Sequence, residues 1–272
     1  MIKRLFLVLV LVIGLCGCAQ KTEDRFSDEK MILQNQEAYI MYDHTVVSQW
    51  TMGMMKQDYY CVEADGKLEE ILVVDHPAGP ESMVHAGLSF DDLNETAKEA
   101  IGAYYDQQGL LYDVALEVQD AYEAFEQLGD NFKWHYISQT VWPTGATEKV
   151  IAFCTELIQY RGEEEVYQTW DTAIFDRETG ERISLESIFV VSEEEAKELI
   201  LDCLMPEELG RDEKDLRVQM EEAFRFGYIK LMNDGIEVMF PANTLECKEK
   251  GFGGFIPAED LAGIMQPWAM DP

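Results

Sequence analysis

Basic residues are scarce in this chain. Against 53 Asp and Glu stand only 21 Lys and Arg, giving a formal net charge of −32 over 272 residues. That imbalance excludes nucleic acid as a partner, because phosphate binding relies on clustered Lys and Arg. It also excludes lying flat on an anionic bilayer. Most of the carboxylates serve solubility, while their sum attracts cationic partners and divalent cations. Histidine is rarer still: His44, His76, His85 and His135 are scattered, and no two share i, i+3 or i+4 spacing. Neither a metal site nor a catalytic histidine is expected from such a pattern, since both need convergent partners. Ser184 lies in no GxSxG elbow. "GFGG" at 251–254 follows no apolar strand and opens no helix, so it is no phosphate cradle. No catalytic residue, metal or cofactor is therefore expected.

A long apolar run is missing as well. Leu5 to Ile13 is unbroken but short, and a helix needs about 20 apolar residues to span a bilayer. With Lys3 and Arg4 before it and small residues after it, the run has the layout of a secretory signal. The tetrad Leu15-Cys16-Gly17-Cys18 resembles the bacterial lipobox, with a branched residue at −3, glycine at −1 and the modified cysteine at +1. Cys16 would place Leu15 at −1, which the lipobox disfavours, so Cys18 is the expected lipid attachment site. Acyl chains there restore membrane attachment, each buried methylene contributing about 0.8 kcal/mol. "AQKTEDRFSDEK" (19–30) suits a polar tether. The expected organisation is a signal peptide at 1–17, a tether at 18–33 and domains at 34–150 and 151–272. Its expected place is extracytoplasmic, lipid-anchored in the cell membrane.

Four further cysteines, Cys61, Cys154, Cys203 and Cys247, allow three disulfide pairings, and spacing does not choose among them. Cys154 and Cys203 fall on apolar faces, which suits buried thiols equally well. Two extended runs flank Asp65-Gly66, a hairpin pattern. Ser89 and Asp92 resemble a capping box before a helix with Leu93, Ala97, Ile101, Tyr104 and Tyr105 on one face. A second helix carries Val118, Ala121, Tyr122, Phe125 and Leu128, with Gly129 to end it. The period then changes to two: 132–142, 149–160 and 166–176 read as consecutive strands, with Phe132, Trp134, Tyr136 and Trp142 on one side. Ser192 and Glu195 cap a helix that Pro206 closes, and another spans about 213–225. A hairpin around Asn233-Asp234-Gly235 and a strand at 253–257 follow. Without repeated strand–helix–strand units, the expected fold is α+β, with antiparallel sheets and helices packed on one face.

Several separate stretches resemble one family. "TAIFDRETGERISLESIF", "FGYIKLMNDGIEVMF" and "GFGGFIPAEDL" are similar to its C-terminal domain, while "DDLNETAKEAI" and "VIAFCTELIQYRG" are similar to the domain preceding it. The family is the pair of extracellular domains shared by the anti-sigma factor RsiV, where they sense lysozyme, and the peptidoglycan deacetylase PdaC, where they accompany the enzyme. The resemblance covers about residues 90 to 265. Only Met1 to Arg4 precede the signal, so a sigma-binding segment is not expected, nor is a deacetylase domain after Pro272. Where the family has a Gly-Gly-Ala-His-like loop after a strand, this chain reads Tyr160-Arg161-Gly162-Glu163-Glu164-Glu165.

The resemblance implies a non-enzymatic binding module whose partner is a basic protein such as lysozyme, or peptidoglycan. The alternative is a hydrolase that modifies peptidoglycan, or its accessory subunit. Candidate ligand-binding residues are Tyr160 and Arg161 at the altered loop, and Trp170. With Trp134, Tyr136 and Trp142, Trp170 suits a sugar platform, although alternating aromatics more often form sheet core. Asp171 and Asp176 as a glycosidase pair would face opposite sides of a strand, which makes them turn and surface acids.

Overall fold

The computed structural model describes residues 33–52, 56–82, 84–85, 87–162, 166–204, 213–242, 244–246 and 251–270. The signal segment, Cys16, Cys18, nearly all of the tether, residues 163–165 and Cys247 lie outside the described residues.

A four-strand antiparallel meander opens the fold: β1 (Leu33–Ile40), β2 (Val46–Met52), β3 (Gln57–Ala64) and β4 (Lys67–Asp75). The β3–β4 turn is the expected one, with Asp65 and Gly66 both at positive φ (51° and 76°), as a two-residue hairpin loop matching strand twist requires. A short hairpin, β5 (Val84–His85) and β6 (Leu88–Ser89), precedes the helices α1 (Glu95–Gln108) and α2 (Val114–Leu128). The chain then returns to the same sheet as β7 (His135–Ala146), parallel to β4 through Leu72–His135, Val73–Tyr136 and Val74–Ile137. The antiparallel strands β8 (Val150–Tyr160), β9 (Val166–Asp176) and β10 (Arg182–Ile183) complete an eight-stranded sheet. β7 and β8 pair across residue 150, the expected domain boundary, so strands on both sides belong to one sheet.

The remainder comprises α3 (Glu193–Leu204), α4 (Glu213–Ala223) and a three-stranded antiparallel sheet. Its strands are β11 (Ile229–Met232), β12 (Gly235–Phe240) and β13 (Phe252–Pro257). The fold is α+β and antiparallel-dominated, as the pattern of periods predicts, with one parallel crossover that the pattern does not reveal.

Alternation along the strands sorts the large sheet's two faces. On one, α1 lays Ala97, Ile101 and Tyr105 against Val141, Ile151, Phe153, Ala173 and Phe175. Beside it α2 lays Val118, Ala121 and Tyr122 against Val62, Leu72, Ile137 and Leu157. Each large side chain removed from water there contributes about 1.5–3 kcal/mol. On the opposite face Val150, Ala152 and Ile174 meet the three-stranded sheet and α3 through Ile229, Leu231, Val238 and Ile200. Gly145 permits this second contact. A Cβ there would lie 2.5 Å from the Leu231 carbonyl oxygen where β11 crosses β7.

Capping differs from expectation at α1. Ser89 caps the short 3-10 turn Phe90–Asp92 instead, accepting from the Asp91 amide at 3.1 Å. The α1 cap is Asn94, whose Oδ1 accepts from the Ala97 amide at 3.0 Å while its Nδ2 donates to the Glu178 carbonyl at 3.0 Å. Phe132 also departs: it precedes β7 and packs on Phe125 beside α2, whereas Trp134 stacks edge-on with Tyr136. At α3 the expected cap is present, with Ser192 Oγ accepting from the Glu195 amide.

Candidate functional site

Tyr160, at the end of β8, closes a cross-strand row of Trp50, Tyr59, Val73, Tyr136, Tyr160 and Val166. Trp134 packs edge-on against both Tyr136 and Tyr160, at 6.2 and 5.9 Å between centroids. Tyr136 donates to Asp75 at 2.6 Å. This aromatic row occupies the face opposite α1 and α2.

Arg161 points the other way, because neighbouring strand residues alternate faces. Its Nη2 donates to both carboxylate oxygens of Glu117 on α2, at 2.9 and 3.1 Å. Glu117 also accepts from Gln159 at 3.0 Å. The contact ties the end of β8 to the helix layer, so Tyr160 and Arg161 do not converge.

Trp170 is 8% exposed and belongs to the seam between the two sheets. Its Nε1 donates to the Met239 carbonyl at 3.1 Å. The Lys230 ammonium sits 4.7 Å from the Trp170 ring centroid and 5.5 Å from that of Trp142, and pairs with Glu237 at 3.2 Å. Two tryptophans singled out as a sugar platform thus clasp a buried lysine, an arrangement that favours a cation over each ring face.

His76 and His135 stay apart. His76 Nε2 lies 2.9 Å from Asp58, and His135 is 4% exposed with its Nδ1 unpartnered among the described residues. Burial first, then the Arg161 charge, lowers the His135 pKa to about 4. Among the described residues no group of three or more His, Cys, Asp or Glu is placed to hold a metal ion. Cys61, Cys154 and Cys203 are free thiols. Each of the three possible pairings of four cysteines joins two of these, so none of them is formed. Cys61 and Cys154 are buried, and burial pushes both thiols up to about 12, while Cys203 is exposed rather than buried on its helix face. Among the described residues no helix is long and apolar enough to cross a membrane.

A concave site forms where β9 runs past the two-residue β10 and its edge is left to loops. The cleft holds about 380 Å³ and is lined by Asp171, Arg182, Ser184, Glu186, Phe226 and Gly227, with Thr172 and Leu185. The local sequence dictates its shape. Asp176 accepts from the Glu178 and Thr179 amides at 3.0 and 2.9 Å, forming the turn into β10. These contacts hold its carboxyl below the usual range, which fits the turn-acid reading. Gly180 at φ 72° lets the turn press on α1, since a Cβ there would lie 2.7 Å from the Ala97 carbonyl oxygen. The turn delivers Arg182 opposite Phe175 and over the Tyr104 ring at 5.4 Å. Across the cleft, residues 226–228 approach β9 so closely that a Cβ on Gly227 would lie 2.5 Å from Asp171 Oδ1.

Asp171 is not the surface acid expected from spacing. It is half-buried, and loss of water raises its pKa against the lowering influence of Arg182. No side-chain donor reaches it, and no carboxylate pairs with Arg182, among the described residues. Ser184 donates to Glu186, two residues on. Thr172 Oγ1 is buried without a partner among the described residues. Sequence reasoning considered Asp171 and Ser184 only within enzyme motifs and passed over Arg182 and Glu186. The available signal was a basic residue close after "DRETG" in so acidic a chain.

No family model matches the chain, and no curated protein matches it. Its structural neighbours are DUF3298 family proteins. One, from Pseudomonas aeruginosa, is 15% identical with a TM-score of 0.41, the match covering 80% of this chain and 97% of that one. Another, from Bacteroides fragilis, is 11% identical with a TM-score of 0.48, covering 88% of this chain and 93% of that one.

Proposed function

We propose that the protein is an outward-facing, lipid-anchored binding module without catalytic activity. The cleft at the β9 edge carries the reading. An acid and a base, neither of them in an ion pair among the described residues, line one concave space, which suits holding a charged ligand. The lipobox-like tetrad supports attachment through Cys18, and the polar stretch after it supports display away from the membrane.

The similarity to RsiV-type domains suggests a basic protein such as lysozyme, or peptidoglycan, as partner. A net charge of −32 attracts any cation over a distance, but the Debye length is about 8 Å at physiological salt and exposed ion pairs contribute about 0–1 kcal/mol each. A specific partner must therefore bury packed surface too. Calorimetry with lysozyme at about 0.05 and 0.3 M salt separates the two cases. Sub-micromolar affinity at the higher salt supports a specific site; binding lost there removes lysozyme as the partner.

A second reading, a peptidoglycan-modifying hydrolase or its accessory subunit, draws on the same cleft. A half-buried carboxyl with raised pKa and a hydroxyl donating to a carboxylate are groups that acid–base catalysis uses. Mass spectrometry of muropeptides incubated with the protein, with and without zinc, is expected to show no new product. Turnover abolished by Asp171→Asn would establish the hydrolase instead.

A further inference from the structure

We propose that the cleft at the β9 edge binds a small zwitterion, a free amino acid or dipeptide, with its ammonium group on Asp171 and its carboxylate on Arg182. The inference rests on reading this cleft as the binding site and names the ligand chemistry it takes.

Opposite charges in one cleft usually neutralise each other, and these do not. Arg182 is near enough to influence Asp171, yet no N–O contact within the roughly 4 Å of an ion pair joins them. Their backbones are fixed by paired strands, Asp171 opposite Thr155 and Arg182 opposite Phe175. Both charges also act on the same α1 residue, Tyr104: the Arg182 charge opposes the rise that burial imposes on the phenol, and the Asp171 charge adds to it. Both residues line the one cleft, so the two heads border a common space.

Each charged group keeps unused hydrogen-bonding capacity. Asp171 Oδ1 faces the bare Gly227 backbone, and Arg182 lies over the Tyr104 ring without a guanidinium hydrogen bond among the described residues. A guanidinium matches a carboxylate through paired, charge-assisted hydrogen bonds, and a half-buried carboxylate that, among the described residues, accepts only from the Thr172 backbone amide keeps lone pairs for an ammonium. A neutral sugar would leave both charges unmatched after displacing their water, which costs free energy. A simple anion or cation would satisfy only one of them. Glu186, accepting from Ser184, also lines the cleft, and Phe226 with Leu185 supplies an apolar wall for a small side chain. About 380 Å³ lies at the small end of the ~300–1,000 Å³ typical of ligand sites, which suits a molecule of amino-acid size.

Calorimetry on the full-length chain in detergent tests this, using alanine and alanyl-alanine against N-acetylalanine, alaninamide and N-acetylglucosamine. The zwitterions should bind saturably, and blocking either end should weaken binding by about tenfold or more, as loss of a charge-assisted contact implies. Asp171→Asn should erase the penalty for N-acetylation, and Arg182→Gln the penalty for amidation, with thermal unfolding confirming that both variants fold. Equal binding of the blocked compounds, preference for the sugar, or no zwitterion binding at about 10 mM would overturn the proposal. Hydrogen exchange over 182–188 and 226–228 separates this from failure of the binding reading itself. Protection there by muropeptides or lysozyme but not by amino acids sinks the zwitterion and keeps the cleft as a site. No protection by any of these sinks both.

Discussion

Lys230 illustrates how a single residue holds two layers together. It is 7% exposed, sits between Trp142 and Trp170, and meets Glu237 on the neighbouring strand. Lys230 is the buried member of the pair, the Glu237 side chain being 36% exposed, so losing the carboxylate leaves a buried charge uncompensated. A desolvated cation–π contact contributes about 2 kcal/mol. Lys230→Ala should therefore lower stability by about 2–3 kcal/mol. Glu237→Gln, which leaves the buried ammonium unpaired, should cost about as much; urea unfolding of both variants measures it. His135 makes a pH prediction. Its folded pKa of about 4 lies below the ordinary imidazole value of 6.5, so the unfolded chain takes up the proton first. Stability present at neutral pH is then lost as pH falls from about 6.5 towards 4, at up to about 1.4 kcal/mol per unit of separation. Unfolding midpoints across that window should fall, and His135→Gln should flatten this part of the profile. An unchanged slope in the variant would refute the assignment.

At the scale of elements, the informative contact is Asn94. The side chain both caps α1 and reaches the turn between β9 and β10, so one amide joins the helix layer to the rim of the cleft. Losing a helix cap costs about 0.5–2 kcal/mol, and the buried face of α1 would keep the helix folded. Asn94→Ala should destabilise the protein by about 1–2 kcal/mol and raise hydrogen exchange in both α1 and residues 176–182. Faster exchange in α1 alone would show that the turn is held by other contacts. The sequence made the α1 face visible, since Ala97, Ile101 and Tyr105 recur at helical spacing. It misplaced the cap because Ser89 offers the same side-chain chemistry five residues earlier, and only the backbone path shows which hydroxyl or amide meets the helix amides.

On the scale of the whole molecule, the proposed attachment through Cys18 would decide what the cleft can meet. Cys18→Ala should abolish labelling by a fatty-acid probe in cells, while Cys16→Ala should leave it unchanged. Label persisting on the Cys18→Ala protein would refute the lipobox reading. An outward-facing acidic body on a tether would then present the β9 edge, and with it Asp171 and Arg182, to whatever reaches the cell surface.

Local information was enough for the alternation of β8 and β9, the Asp65-Gly66 hairpin and the α+β class. Each of these depends on neighbouring residues: a period of two, a change of period, a turn that only certain residue types accept. The β4–β7 parallel pair, the burial of Trp170 beneath β11 and the meeting of Asp171 with Arg182 depend on contacts between strands brought together by the fold. A period of two states that Trp170 and Asp171 face opposite sides, but not what covers either side. The three-stranded sheet covered the tryptophan, and the short β10 left the aspartate beside an open edge; only the tertiary structure decided that.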